Sequence, residues 1–179
     1  MNHIMVDLET LGTAPGCSIV SIGAVYFGPA GLGEEFYSVV SRESCKAAGL
    51  HEDEDTLQWW ERQSTEARVV LGIAESKAAP ALGVALQAFT AFCRQQPNVY
   101  VWGNGADFDN PILACAFRAA GLPLGWRGFN GRCYRTLKKL VPNGPKLVRQ
   151  GTHHNALDDA KSQAAHAIEL FKASGLWWG

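Results

Sequence analysis

Ile4-Met5-Val6-Asp7-Leu8-Glu9-Thr10 is the stretch whose reading decides the fold. It has the apolar character of an inner β-strand, yet it carries two carboxylates two residues apart. Strand side chains alternate between faces, so Asp7 and Glu9 point one way while Val6 and Leu8 point the other. Their Cα atoms lie roughly 6.5 Å apart, close enough for both carboxylates to reach one cluster of cations. Like charges on one face of a central strand are costly unless something positive neutralises them, and a divalent metal is the usual answer. An Asp-x-Glu pair at the frayed, solvated end of a strand carries no such demand. The pair alone does not separate the two readings.

Downstream, Leu11–Gly16 reads as a turn and Ser18–Phe27 as a second strand, rich in β-branched and aromatic residues on both faces and therefore internal. Gly28-Pro29-Ala30-Gly31 closes a hairpin into a third strand near Glu35–Val40, giving an antiparallel meander. Asp55, with Gln58 at the reciprocal position, predicts a helix N-cap. In the Trp59-Trp60 pair that follows, packing is favoured over stacking on a base, although one ring is available for the latter. Leu82, Ala85, Leu86, Phe89 and Phe92 recur at helical spacing, predicting a helix over 80–95. Val99–Trp102 is then a short buried strand parallel to the first, because a helix precedes it. Phe108-Asp109-Asn110-Pro111 opens another helix, which Gly121 ends. A loosely structured basic segment contains a helical piece near 136–140, and a last helix spans 156–173 with Gly175 after it. Trp177 and Trp178 have no evident core to enter, so they pack on a partner subunit or fold back.

At 179 residues and 47% hydrophobic, the chain fits one domain, 1–179, with an ample core; it shows no repeat or linker. The N-terminus does not read as a signal peptide, and no window approaches the roughly 18 apolar residues needed to cross a bilayer, so no membrane association is expected. The five cysteines are odd in number and lack a C-x-x-C pair, which argues for free thiols in a reducing cytoplasm. Net charge is only −1, but the segment 127–149 carries Arg127, Arg132, Arg135, Lys138, Lys139, Lys146 and Arg149 without a single acid. Interleaved with Trp126, Phe129 and Tyr134, this run reads either as a solvated surface or as a track for a phosphate backbone.

Acids recur away from the first strand. Asp109 follows the C-terminal end of the strand beside it, where open sheets gather their ligands. His154 in the loop before the last helix and Asp159 one turn inside it can face one cleft, with Asp158 pointing away. Separated carboxylates holding two divalent cations are what phosphodiester hydrolysis uses. Oxygen-only ligands indicate Mg2+ or Mn2+ over zinc, and a histidine titrating near neutrality suits a general base.

These segments resemble a known family. Asp7-Leu8-Glu9-Thr10-x-Gly12, Asn104-Gly105-Ala106-Asp107-Phe108-Asp109 and His154-Asn155-Ala156-Leu157-Asp158-Asp159-Ala160 are similar to the three motifs of the DEDDh 3′–5′ exonucleases. That family includes ribonuclease T and the proofreading subunits of replicative polymerases. The likeness runs over nearly the whole chain and is greatest toward small stand-alone phage and bacterial members. It implies an α/β, ribonuclease H-like domain: a central mixed five-stranded sheet flanked by helices, three strands antiparallel and the later ones parallel to the first. It implies a two-metal mechanism that releases nucleoside 5′-monophosphates from the 3′ end of a single strand. Asp7, Glu9, Asp109 and Asp159 would be the metal ligands. Asp7 would bridge both ions, Glu9 and Asp159 would serve the ion that binds the nucleophilic water, and Asp109 would serve the other. His154 would be the general base. Of the two acids in the second motif, Asp109 is chosen because the Phe-Asp pair matches, and His153 is taken as a surface neighbour.

Thr10 and Leu11 would lie against the terminal nucleotide, with Trp59, Asn104 and Phe108 around the substrate and Lys138 and Lys139 on its backbone. The expected partner is a nucleic acid with a free 3′ end, DNA and RNA both remaining open, and many relatives are homodimers. Two other readings compete: an enzyme trimming oligomers of two to five nucleotides, and a binding module without catalysis.

Overall fold

A computed structural model of the chain describes residues 1–175. Trp177 and Trp178 lie outside the described residues. The strands are β1 (His3–Thr10), β2 (Ile19–Gly28), β3 (Gly31–Val39), β4 (Tyr100–Gly103) and β5 (Gly131–Cys133). They form one sheet in the order β3-β2-β1-β4-β5. β1 runs antiparallel to β2 and parallel to β4, and β5 runs parallel to β4. The expected mixed five-stranded sheet is therefore present, with β1 at its centre. The helices are α1 (Arg42–Ala47), α2 (Glu54–Glu61), α3 (Thr65–Glu75), α4 (Leu82–Cys93), α5 (Asp109–Ala119), α6 (Tyr134–Leu140) and α7 (Ala156–Ser174). Among the described residues no helix is long and apolar enough to cross a membrane.

The alternation of β1 sorts the molecule into layers. Ile4, Val6 and Leu8 enter a core built with α4 and α5, including Leu86, Phe89, Leu113 and Phe117. Met5, on the opposite face, packs with Val25, Phe27 and the α7 residues Ala160, Ala164 and Ala167. The small side chains let α7 lie close to the sheet. Gly23, which pairs with Asp7 across the β1–β2 ladder, brings it closer still. A Cβ on Gly23 would overlap the backbone of Ala156 and Leu157. That bare spot seats the first turn of α7 directly beside Asp7.

Several elements differ from their expected form. β3 begins at Gly31 rather than near Glu35, because Gly28 and Gly31 pair around a two-residue tip. It is an edge strand with Glu34 and Glu35 exposed, so it lacks the apolar signature. α1 and α3 were not expected; they are short helices capped by the hydroxyls of Ser41 and Ser64, which accept from the Ser44 and Ala67 N–H groups. α2 starts after Asp53, not Asp55, and no side-chain bond caps it. The Asp53 carboxylate instead accepts from the Thr13 N–H at 3.2 Å, pinning the turn after β1. β5 is too short and polar to show in the sequence; it forms because β4 offers it a ladder.

Gly23→Ala should lower the melting temperature by about 10 °C or more or prevent folding, as expected for a backbone clash in the core. Gly72 in α3 has open space around its Cβ position, so Gly72→Ala should raise the melting temperature by about 2–4 °C. Thermal melts followed by circular dichroism check both.

Candidate functional site

Three elements bring acids to one spot. β1 supplies Asp7 and Glu9 on its α7-facing side, and the first turn of α7 supplies Asp159. One carboxylate oxygen from each of these three lies within 4.8 Å of the others. The turn is fixed by Asn155, whose side-chain oxygen accepts from the Leu157 and Asp158 N–H groups. Asp158 faces elsewhere, accepting from the Thr152 N–H at 2.8 Å.

Asp109 opens α5 and is 1% exposed. One of its oxygens accepts from the Leu8 N–H at 3.2 Å and the other from the Asn104 N–H at 2.6 Å. It thus ties β1 to the loop after β4, near enough to raise the proton affinity of Asp7 and Glu9. A Cβ at Gly103 would stand 2.9 Å from the Asp109 carboxylate, so a bare backbone is needed there as well. Asp107 is exposed, in keeping with the choice of Asp109.

His154 has φ +62°, a left-handed conformation uncommon for a residue with a Cβ. Its N–H donates to Asp159 at 3.0 Å, and its ring meets Trp59 edge to face at 4.8 Å. A ring nitrogen from each of His153 and His154 and an Asp159 oxygen lie within 4.8 Å of one another. His153 is exposed as expected, but it also stacks on His154 with centroids 3.8 Å apart.

The electrostatics follow from packing acids together. Burial, then Asp109, Glu9 and Asp159, push the Asp7 carboxyl well above its usual range, against a hydrogen bond from Gln163. Burial, then Asp159 and Asp109, raise Glu9 to about 8. Burial raises Asp109 to about 6 although two backbone N–H groups oppose it. Burial, then His153, hold His154 below the ordinary imidazole value despite Asp159, so at neutral pH it has a free lone pair to accept a proton. A buried set of carboxylates that resist ionising together, with oxygens converging and no sulfur, fits hard divalent cations. Asp7, Glu9 and Asp159 are placed to hold them.

Two residues of the site escaped the sequence reading. Gln163, one turn beyond Asp159 on α7, donates to Asp7 at 2.7 Å; its i+4 spacing from Asp159 was the available signal. Arg149 reaches Asp159 from the loop before α7 at 2.5 Å, and the basic run it ends gave no hint of so specific a contact.

Beside the acids is a pocket of about 360 Å³ lined in part by Leu8, Glu9, Thr10, Trp59, Trp60 and Phe108. Trp60 is 2% exposed and donates from its indole to the Thr10 carbonyl, whereas Trp59 is 38% exposed. The pair thus divides into a packing ring and a pocket wall. Leu11 corrects the expectation: it is 2% exposed and packs in a separate core with Val20, Val39, Trp60 and Val70. The chain turns after Thr10, so Leu8 rather than Leu11 borders the pocket. Asn104 lines the acid cleft with Arg149 and Gln163. Lys138 lies 4.6 Å over the Tyr134 ring, and Lys139 is exposed; neither lines the cleft.

Residues 2–171 match the family model described as 3′–5′ exoribonuclease Rv2179c-like domain. No curated protein matches the chain in sequence. Exonuclease X, solved with 5′-overhanging duplex DNA, superposes with a TM-score of 0.62 at 17% identity, covering 98% of this chain and 94% of that one. The nuclease domain of 3′hExo, a DEDDh family member bound to rAMP, gives 0.65 at 13% identity, covering 96% and 92%. A full-length 3′-exonuclease gives 0.64 at 14% identity, covering 96% and 82%. The fold is that of the DEDDh exonucleases.

Because the folded chain binds the Glu9 proton more tightly than the unfolded chain, metal-free stability should fall as pH rises from the ordinary glutamate value of 4.5 to about 8. Glu9→Gln removes that repulsion, so without metal at pH 8 it should melt about 3–8 °C above the wild type. Mn2+ should raise the wild-type melting temperature more at pH 8 than at pH 5, as differential scanning fluorimetry would show.

Proposed function

We propose, for a chain that belongs to the 3′–5′ exoribonuclease Rv2179c-like family and is a 3′–5′ exonuclease, that it removes nucleotides singly from the 3′ end of single-stranded RNA, releasing nucleoside 5′-monophosphates. The family description favours RNA. The observation that carries the chemistry is the convergence of Asp7, Glu9 and Asp159 within 4.8 Å, with a neutral-leaning histidine at their edge.

The donor set suits two divalent cations, Mg2+ or Mn2+, held by Asp7, Glu9 and Asp159 with Asp109 behind them. When bound, such cations neutralise the phosphate and polarise it toward attack. The protein's own residues do the rest. His154 accepts the proton of the attacking water at a ring nitrogen, and the Asp159 carboxylate beside it steadies the imidazolium that forms. Gln163 and the backbone donors on Asp109 fix the carboxylates before substrate arrives. Trp59 and Phe108 flank the terminal base in the adjoining pocket, where stacking tolerates any base. The cleft of about 200 Å³ at the acids is lined by Asp7, Glu9, Asn104, His154, Asp159 and Gln163 and has room for one phosphate group. Cys17, Cys45, Cys93, Cys115 and Cys133 are all free thiols, which supports a reducing, cytoplasmic setting.

Matched RNA and DNA oligonucleotides labelled at the 5′ end test the reading. RNA should shorten in single steps from the 3′ end, faster than DNA, and only with Mg2+ or Mn2+. Asp7→Ala or Asp159→Ala should abolish the ladder, and His154→Ala should slow it about 10²- to 10⁴-fold. A persistent ladder in Asp7→Ala would end the proposal. Trp59→Ala should raise KM about tenfold with the fold intact, since base stacking is worth ~1–3 kcal/mol. Trp60→Ala should instead destabilise the protein by ~3–5 kcal/mol, read from denaturant unfolding.

A further inference from the structure

Arg149 departs from the pattern of the other cations in the basic segment. Its guanidinium reaches into the acid cleft and pairs with Asp159 at 2.5 Å, although its own side chain is 53% exposed against 11% for the aspartate. The other Asp159 oxygen is already occupied by the His154 N–H. A cation that binds Asp159 therefore meets either the oxygen that Arg149 holds or the remaining lone pair of the other, and in both cases it stands beside the guanidinium. Guanidinium and metal ion cannot share that carboxylate comfortably, because both are positive and the pocket is small.

The surroundings say where the displaced arm would go. Arg135 donates to the Asn104 carbonyl at 2.7 Å, on the wall of the same cleft. Lys138 lies over Tyr134, and burial, with Arg135 and Arg149 near enough to add to it, lowers its affinity for a proton. Arg149, if released from Asp159, would keep Arg135 and Lys138 as cationic neighbours beside the acid cleft. A phosphate entering there presents the paired oxygens that a planar guanidinium grips with two bonds.

We infer that Arg149 serves as the counter-cation of the metal-free centre and, once metal takes Asp159, becomes the ligand of a substrate phosphate. The inference rests on the nuclease reading for its second half alone. Metal loading then exchanges an internal ion pair for a phosphate-binding arm, so that the site gains affinity for nucleic acid only as it becomes competent to cut it.

The first test uses the full chain and Mn2+ alone. By isothermal titration calorimetry without nucleic acid, Arg149→Gln should bind Mn2+ about tenfold more tightly than the wild type, because its competitor is gone, while Arg149→Lys should fall between. Equal or weaker Mn2+ binding by Arg149→Gln would overturn the counter-cation role. The second test measures binding of a labelled single-stranded oligonucleotide by anisotropy, with Mn2+, in the His154→Ala background, which keeps all four acids. Adding Arg149→Gln should weaken binding about tenfold and reduce the salt slope by about one. An unchanged slope would overturn the phosphate role. Circular dichroism confirms that each variant is folded. Wild-type protein that failed to shorten any 3′ end would sink the nuclease reading, yet leave the Mn2+ comparison fully readable.

Discussion

The mutual repulsion of carboxylates buried around the centre of the sheet is the constraint on which the rest of this structure turns. Asp7, Glu9, Asp109 and Asp159 come from three regions of the chain; burial and then the neighbouring acids raise the proton affinity of Asp7 and Glu9, and burial raises that of Asp109. A fold that concentrates like charge in this way opposes its own stability unless something positive arrives. The molecule answers with partial measures: an amide from Gln163 on Asp7, backbone N–H groups on Asp109 and a guanidinium on Asp159. Each steadies one acid, and none removes the repulsion among them. The cluster gives up stability to hold acids together, as functional sites do.

The scaffold that sustains this repulsion is rigid where it needs to be. β1 is flanked by β2 and β4, so Asp7 and Glu9 cannot yield by moving the strand. α7 is seated by alanines and by the bare backbone of Gly23, so Asp159 cannot swing away. Close packing transmits strain rather than absorbing it. The loop ahead of α7 holds His154 in a strained backbone conformation and carries Arg149 at its exposed end.

Beside the acids the molecule has an apolar pocket, and the two tryptophans of α2 show how one short helix both anchors itself and lines that pocket. Trp60 faces inward and anchors the helix to the end of β1 through the Thr10 carbonyl. Trp59, one position earlier and so about 100° around the helix, faces the pocket and the His154 ring. The apolar pocket and the acid cleft thus share Leu8 and Glu9 in their walls.

The sequence by itself determined the strand that carries the acids, the parity that puts Asp7 and Glu9 on one face, the mixed sheet, and the identity of Asp109, His154 and Asp159 as their companions. These were legible because period-two alternation and motif spacing are local properties of the chain. The tertiary structure alone decided the remainder. Leu11 enters the core because Val20, Val39, Trp60 and Val70 close around it; the turn after Thr10 was legible, but not which residues would cover it. β5 exists because β4 supplies its hydrogen bonds, and α1 and α3 because each has a hydroxyl cap and a surface to cover. Gln163 and Arg149 joined the site through contacts with Asp7 and Asp159, 156 and 10 residues away in the chain. The i+4 spacing of Gln163 from Asp159 gave its helix face but not its partner, and the Arg149 contact left no periodic trace; only the folded arrangement, which sets distance and burial, shows which charge neutralises which.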